Sequence, residues 1–302
     1  MILITGSAGL LGRHIANLLG NAGKEVRHFD VATEPLQDVR NRARLREAME
    51  KVDGVIHLAA ISRVVWGERD PELTHEVNVG GIENVLSFAG QSPNPPWVIF
   101  ASSREVYGEA STFPVSEDAG LSPLNAYAQS KVKGERLCQA ARSGGAVANI
   151  VRFSSVYGCI DDHDDRVVPA FARAAAKGTP VRIEGSGNTL DFTHVSDVAR
   201  GVVQLAEASG RGELMPAMHL VSGRGTTLRE LARLAIDASG GRVTCEEHAP
   251  RTYDVAHFTG DPSLAKRELG WSATVPIEQG FAKLVDDYRT AAVQNLAPEA
   301  LI

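Results

Sequence analysis

The sequence predicts an α/β protein built on a doubly wound parallel sheet. Two observations predict it. Short apolar runs alternate with amphipathic or charged stretches through the first half, the strand–helix–strand order of crossover units. The first apolar run also ends in a glycine-rich turn that opens a helix, the layout of a Rossmann dinucleotide site.

Met1-Ile-Leu-Ile-Thr5 reads as the first strand, and Gly6-Ser-Ala-Gly9-Leu10-Leu11-Gly12 as the turn into a helix over Arg13–Ala22. Small residues let the backbone approach a pyrophosphate, which then sits on the free N–H groups of the positive helix end. Val26–Asp30 is the second strand, and Asp30 stands where such folds place the carboxylate that binds the adenosine ribose. An acid there repels a 2′-phosphate, so the expected cofactor is NAD and not NADP. Asp38-Val39 precedes a charged helical stretch, Arg40–Lys51, and Val55–Leu58 is a buried strand running into Ala59-Ala60. Pro71–Ala89 reads as one long helix. Trp97–Ala101 is a strand ending in Ser102-Ser103-Arg104-Glu105, which puts hydroxyls at the usual ligand crevice of an open sheet. A helix from about Leu124 to Arg142 and a strand over Ala146–Val151 complete the pattern.

The predicted helix beyond Ser122-Pro123 carries Tyr127 and Lys131 one turn apart on one face. A phenol titrates near pH ~10. An ammonium beside it favours the phenolate, giving a proton acceptor for a sugar or alcohol hydroxyl. Such a pair is common on surface helices, and it gains weight here because a dinucleotide turn precedes it.

Composition narrows the classes. The chain has 302 residues, 43% hydrophobic and 23% charged, enough for one large α/β domain with a smaller lobe. The net charge of -6 advertises no surface for nucleic acid. Cys138, Cys159 and Cys245 lack metal-ligand spacing and fit a reducing compartment. The uncharged run Asn84–Ser103 contains Pro93, Pro95 and Pro96, so it is no membrane helix. A chain opening directly on a strand leaves no room for a signal peptide, and a cytoplasmic location is expected. The acidic cluster Asp161-Asp-His-Asp-Asp165 reads as a solvated loop at a helix start, and no metal site is expected.

Gly6-x-x-Gly9-x-x-Gly12, His57-Leu-Ala-Ala60, Asn78-Val, Ser102-Ser103…Val106-Tyr107-Gly108 and Tyr127-x-x-x-Lys131 together resemble the extended short-chain dehydrogenase/reductase family. More narrowly, they resemble its nucleotide-sugar epimerase/dehydratase branch, from residue 1 to about Tyr288. The resemblance implies a Rossmann domain over 1–155, to which later strands and helices return, a region over 156–290 that is mainly a smaller substrate lobe, and a tail over 291–302. It implies catalysis by Ser103, Tyr127 and Lys131. NAD would be held by Gly6, Gly9, Leu10, Leu11, Gly12, Asp30, Asp38, Val39, Leu58, Ala59, Ala60, Asn78, Tyr127, Lys131 and Phe153. A nucleotide-sugar would be held by Ser62, Arg63, Ser103, Glu105, Tyr127, Ser155 and Arg251. A homodimer is implied through the helices Pro71–Ala89 and Leu124–Arg142, with Val77, Ile82, Val85 and Leu86 offering apolar surface.

Three positions depart from the family pattern. Ser155 stands where many relatives carry Asn. Leu190 stands where an Arg commonly binds the substrate diphosphate, which leaves Arg251 to do so nearly alone. Arg104-Glu105 replaces the acid/base pair, typically Asp-Glu, of the dehydratases. The implied reaction is C4 epimerisation of a UDP-sugar through a 4-keto intermediate. Dehydration, decarboxylation and net dehydrogenation are the alternatives, with a non-catalytic NAD-binding regulator behind them. Arg104 and Glu105 read equally well as a surface ion pair.

Overall fold

The computed structural model describes residues 1–250 and 255–296. The first half runs β1 (Ile2–Thr5), α1 (Leu10–Asn21), β2 (Val26–Phe29), α2 (Arg42–Ala48), β3 (Gly54–His57), α3 (Val64–Arg69), α4 (Pro71–His75), α5 (Gly81–Gln91), β4 (Trp97–Ser103), α6 (Ala126–Ser143) and β5 (Ala148–Phe153). The second half runs β6 (Ser155–Tyr157), α7 (Val167–Lys177), β7 (Val181–Glu184), β8 (Thr189–His194), α8 (Val195–Gly210), β9 (Met218–Leu220), β10 (Gly225–Thr227), α9 (Leu228–Ala238), β11 (Cys245–His248), α10 (Ser263–Leu269) and α11 (Ile277–Leu296).

Six strands form a parallel sheet in the order β2-β1-β3-β4-β5-β9. The order reverses between β1 and β3, the crevice where doubly wound sheets bind ligands. Side chains alternate between its faces with the strand period of two. Ile2, Ile4, Ile56 and Ile99 pack under α1 and α8, while Leu3, Val55, Val98 and Phe100 pack under α2, α5 and α6. Each such buried side chain stabilises the fold by about 1.5–3 kcal/mol. A separate core joins Phe171 of α7, Leu231 of α9, Phe281 of α11, Ile183 of β7 and Phe192 of β8. This second core carries the smaller sheets β10-β8-β6 and β11-β7.

The stretch before Pro71 folds as α3. Three expectations change. The long helix from Pro71 is interrupted by a π-helical turn, Glu76–Gly80. Residues after Thr290 continue α11 to Leu296, so a tail boundary at 291 would cut a helix. Ile82 and Val85 are fully buried beneath the protein's own sheet and offer no surface to a partner, whereas Val77 and Leu86 are partly buried. Among the described residues no helix is long and apolar enough to cross a membrane.

Candidate active site

The turn after β1 explains its glycines by contact. Gly6 has φ +71°, and a Cβ there would lie 2.7 Å from the Ala59 nitrogen. A Cβ on Gly12 would lie 2.4 Å from the Gly6 oxygen. Backbone therefore packs on backbone, and nothing larger fits. Gly9 begins α1 without any side-chain cap, which leaves first-turn N–H groups for an anion.

Asp30 lies beside this turn. Its Oδ2 accepts from the Ala8 N–H at 2.8 Å, and its Oδ1 from the Ala32 N–H at 2.8 Å. A carboxylate oxygen accepts more than one bond, so acceptor capacity remains for a diol. Asp38 is differently placed. Arg40 donates to it at 2.7 Å and also reaches Glu76, and the Arg40 bond holds the Asp38 carboxyl below its usual range. His57 is buried with Nδ1 2.8 Å from the Thr5 hydroxyl and Nε2 unpartnered. Burial lowers its pKa to about 3, assisted by the Lys131 charge.

The reacting end is set by β4 and α6. Asn125 caps α6, its Oδ1 accepting from the Ala128 N–H at 2.8 Å, while its Nδ2 donates to Glu105 Oε2 at 3.3 Å. That cap starts the helix so that Tyr127 and Lys131 both point inward, 9% and 4% exposed. Lys131 Nζ donates to the Ala101 carbonyl at 2.8 Å and stands 5.6 Å from the Tyr127 ring centre. Burial lowers the Lys131 pKa to about 8. The Tyr127 phenol is raised, first by burial, with a Ser103 hydrogen bond pulling the other way. The Lys131 ammonium faces a carbonyl; Ser103 and the charges of Arg166 and Arg104 favour the phenolate, while the Glu105 charge opposes it.

Arg104 and Glu105 form an ion pair at 2.9 Å with side chains 12% and 8% exposed, so the pair is buried and not on the surface. The acidic cluster is not simply solvated either. Asp161 binds Arg13 at 2.8 Å, Asp165 binds Arg63, and His163 meets the Trp66 ring edge-on at 4.9 Å. The cluster thus bridges from the second lobe to the glycine turn and to α3.

A cavity of about 900 Å³ runs from the glycine turn to Leu228 in the second lobe. Within the described residues, every predicted site residue lines it except Asn78. Asn78 is buried behind the wall. Its Oδ1 accepts from the Ile61 N–H at 2.8 Å, and its Nδ2 donates to the Ile61 carbonyl and the Ser130 hydroxyl. It therefore fixes the loop that lines the cavity, and direct cofactor contact is corrected to a positioning role. Ser155 and Leu190 line the sugar end as expected. Arg251 lies outside the described residues. Sequence reasoning missed Asn125, Trp66 and Arg166; of these only Asn125 carried a local signal, a cap residue just ahead of a helix.

Comparison with known proteins agrees with this geometry. The UDP-glucose 4-epimerase of Mycolicibacterium smegmatis is 28% identical over 95% of this chain and 98% of its own. UDP-glucuronic acid decarboxylase 1 of Arabidopsis thaliana is 28% identical over 95% of this chain and 69% of its own. MoeE5 in complex with UDP-glucose and NAD superposes with a TM-score of 0.88, at 28% identity, over 97% of this chain and 99% of that one. The UDP-glucose 4-epimerase of Thermus thermophilus in complex with NAD gives 0.86 at 27% identity, over 96% and 99%. The model of the NAD dependent epimerase/dehydratase family matches residues 2–215, and the chain belongs to that family.

Proposed function

We propose that the protein is an NAD-dependent nucleotide-sugar epimerase acting at C4 of a UDP-sugar. The observation that carries this reading is one continuous cavity joining an uncapped glycine turn to a buried Ser103–Tyr127–Lys131 set. The similar protein MoeE5 is found in complex with UDP-glucose and NAD, which supports this reading.

The residues fit the cofactor. The first turn of α1 would hold the pyrophosphate, and Asp30 the adenosine ribose through its remaining acceptor capacity. Lys131 would hold the nicotinamide ribose. When bound, NAD supplies a reversible hydride acceptor, and in its oxidised form a positive charge that favours a phenolate. Tyr127 takes the proton of the sugar's 4-hydroxyl, and the Ser103 hydroxyl holds the same oxygen. The 4-keto sugar turns in the cavity, and Tyr127 returns the proton once the opposite face is presented. Apolar Leu190, Phe192 and Leu228 line part of this end and give a turning sugar no hydrogen bond to break.

Dehydration needs an acid proton beside the catalytic hydroxyl. Arg104 holds that place, stays protonated and is tied to Glu105, which weighs against that reaction. A homodimer and a cytoplasmic location belong to the same proposal. Partly buried Val77 and Leu86 support the first, and the free thiols of Cys138, Cys159 and Cys245 the second. Light scattering at micromolar concentration tests the dimer, and a monomer would count against it.

The deciding experiment incubates the purified protein with UDP-glucose and follows the anomeric protons by NMR. Growth of the C4 epimer without net NADH supports the proposal. Accumulating NADH and an oxidised sugar would replace it with net dehydrogenation.

A further inference from the structure

The cations that line the cavity differ in how well they are matched. Arg13 is tied to Asp161 and the Ala8 carbonyl, Arg40 to Asp38 and Glu76, Arg63 to Asp165, and Lys131 to the Ala101 carbonyl. Arg104 is ion-paired with Glu105 at 2.9 Å, although its buried Nη1 has no partner. Arg166 stands apart. Its guanidinium makes no hydrogen bond among the described residues, and its ion pair is with Asp162 Oδ1 at 3.6 Å. Asp162 is a weak counter-charge, since burial pushes its carboxyl up and its Oδ2 has no partner.

Position adds to this. Arg166 precedes α7, whose first residues Val167 and Val168 also line the cavity. The rest of the wall contributed by the second lobe mixes apolar Leu190, Phe192 and Leu228 with acidic Glu184 and the polar side chains of Tyr157, His163 and Asn188. Among the described residues of that wall, Arg166 is the one Arg or Lys. Its charge is also felt by the Tyr127 phenol, which places it toward the reacting end. A guanidinium with free donors on a cavity wall is a ready partner for a planar or tetrahedral oxyanion.

We propose that Arg166 is an anion contact of the second lobe, gripping an oxyanion of the substrate close to the sugar and filling the role that Leu190 cannot. That oxyanion is either the sugar-proximal phosphate of the diphosphate or a carboxylate on the sugar itself. The proposal rests on the nucleotide-sugar reading above and specifies a residue for it.

The test is calorimetric titration of the NAD-loaded protein with UDP, UDP-glucose and UDP-glucuronate, for wild type, Arg166→Ala and Arg166→Lys. Arg166 provides no side-chain helix cap and is partly exposed, so the variants should fold; far-UV circular dichroism checks this. A charge-assisted contact predicts roughly ten- to a hundredfold weaker binding in Arg166→Ala, partly recovered in Arg166→Lys. Loss for all three ligands identifies the phosphate. Loss confined to UDP-glucuronate identifies the sugar carboxylate. Affinities within twofold for every ligand overturn the role of Arg166 and leave the epimerase reading intact. A wild type that binds these ligands without epimerising them sinks the proposed reaction, yet the variant comparison still decides Arg166. A wild type that binds none of them overturns both.

Discussion

The two ends of the cavity are built from different materials. The cofactor end is backbone: glycines in van der Waals contact with neighbouring peptides, an uncapped helix start and an acid held by two N–H groups. The sugar end is side chains: Leu190, Arg166, Ser155 and the Arg104–Glu105 pair. Backbone geometry tolerates little change, so it serves a ligand that stays the same. Side chains can be exchanged singly, so they carry what distinguishes one substrate from another. All three departures from the family pattern fall at or beside the sugar end.

The sharpest way to separate the two ends is Tyr127→Phe. It removes the proton acceptor and leaves the cofactor end untouched, so turnover should fall by roughly two to four orders of magnitude while bound NAD persists. Wild-type turnover in that variant, read on the true substrate, would sink the assignment. Next in size is Gly6→Ala. A side chain at φ +71° and 2.7 Å from Ala59 forces backbone to move, at a cost of about 1–3 kcal/mol. Thermal denaturation should show a lowered Tm with loss of retained NAD; an unchanged Tm would mean the turn is softer than its contacts imply. Asp30→Asn should narrow the preference for NAD over NADP by about tenfold, the worth of about one charge-assisted contact. Tighter NADP than NAD binding in the wild type would overturn the reading of Asp30.

A pH effect bears on stability and stands apart from both ends of the cavity. His57 has a folded pKa near 3 against an ordinary 6.5. Below pH 6.5 the unfolded chain binds this proton and the folded chain does not. Stability from this group is therefore complete above 6.5 and is lost as pH falls toward 3, by at most about 1.4 kcal/mol per pH unit. Urea unfolding of wild type and His57→Gln should converge as pH is lowered through that window, and parallel curves would count against it.

The parts legible in sequence are local. Gly6, Gly9 and Gly12 follow a strand within one turn, and Tyr127 and Lys131 share one helix face, so spacing alone places them. What is not legible depends on burial and on contacts between distant segments. Arg104 and Glu105 cannot be told from a surface pair until β4 and Phe258 enclose them. Asn78 sits in a cofactor motif, yet its amide is taken up by Ile61 and Ser130. The Tyr127 pKa turns on desolvation, which no spacing reveals.

The bridge made by residues 161–165 ties the second lobe to the cofactor side of the cavity through Asp161 on Arg13, Asp165 on Arg63 and His163 on Trp66. The Arg13–Asp161 pair is exposed on both sides, 50% and 57%, and such a pair contributes only about 0–1 kcal/mol. Dissolved ions screen it further. The tie between the lobes is thereby coupled to ionic strength, and added salt should loosen it while the buried Tyr127 and Lys131 are left unchanged.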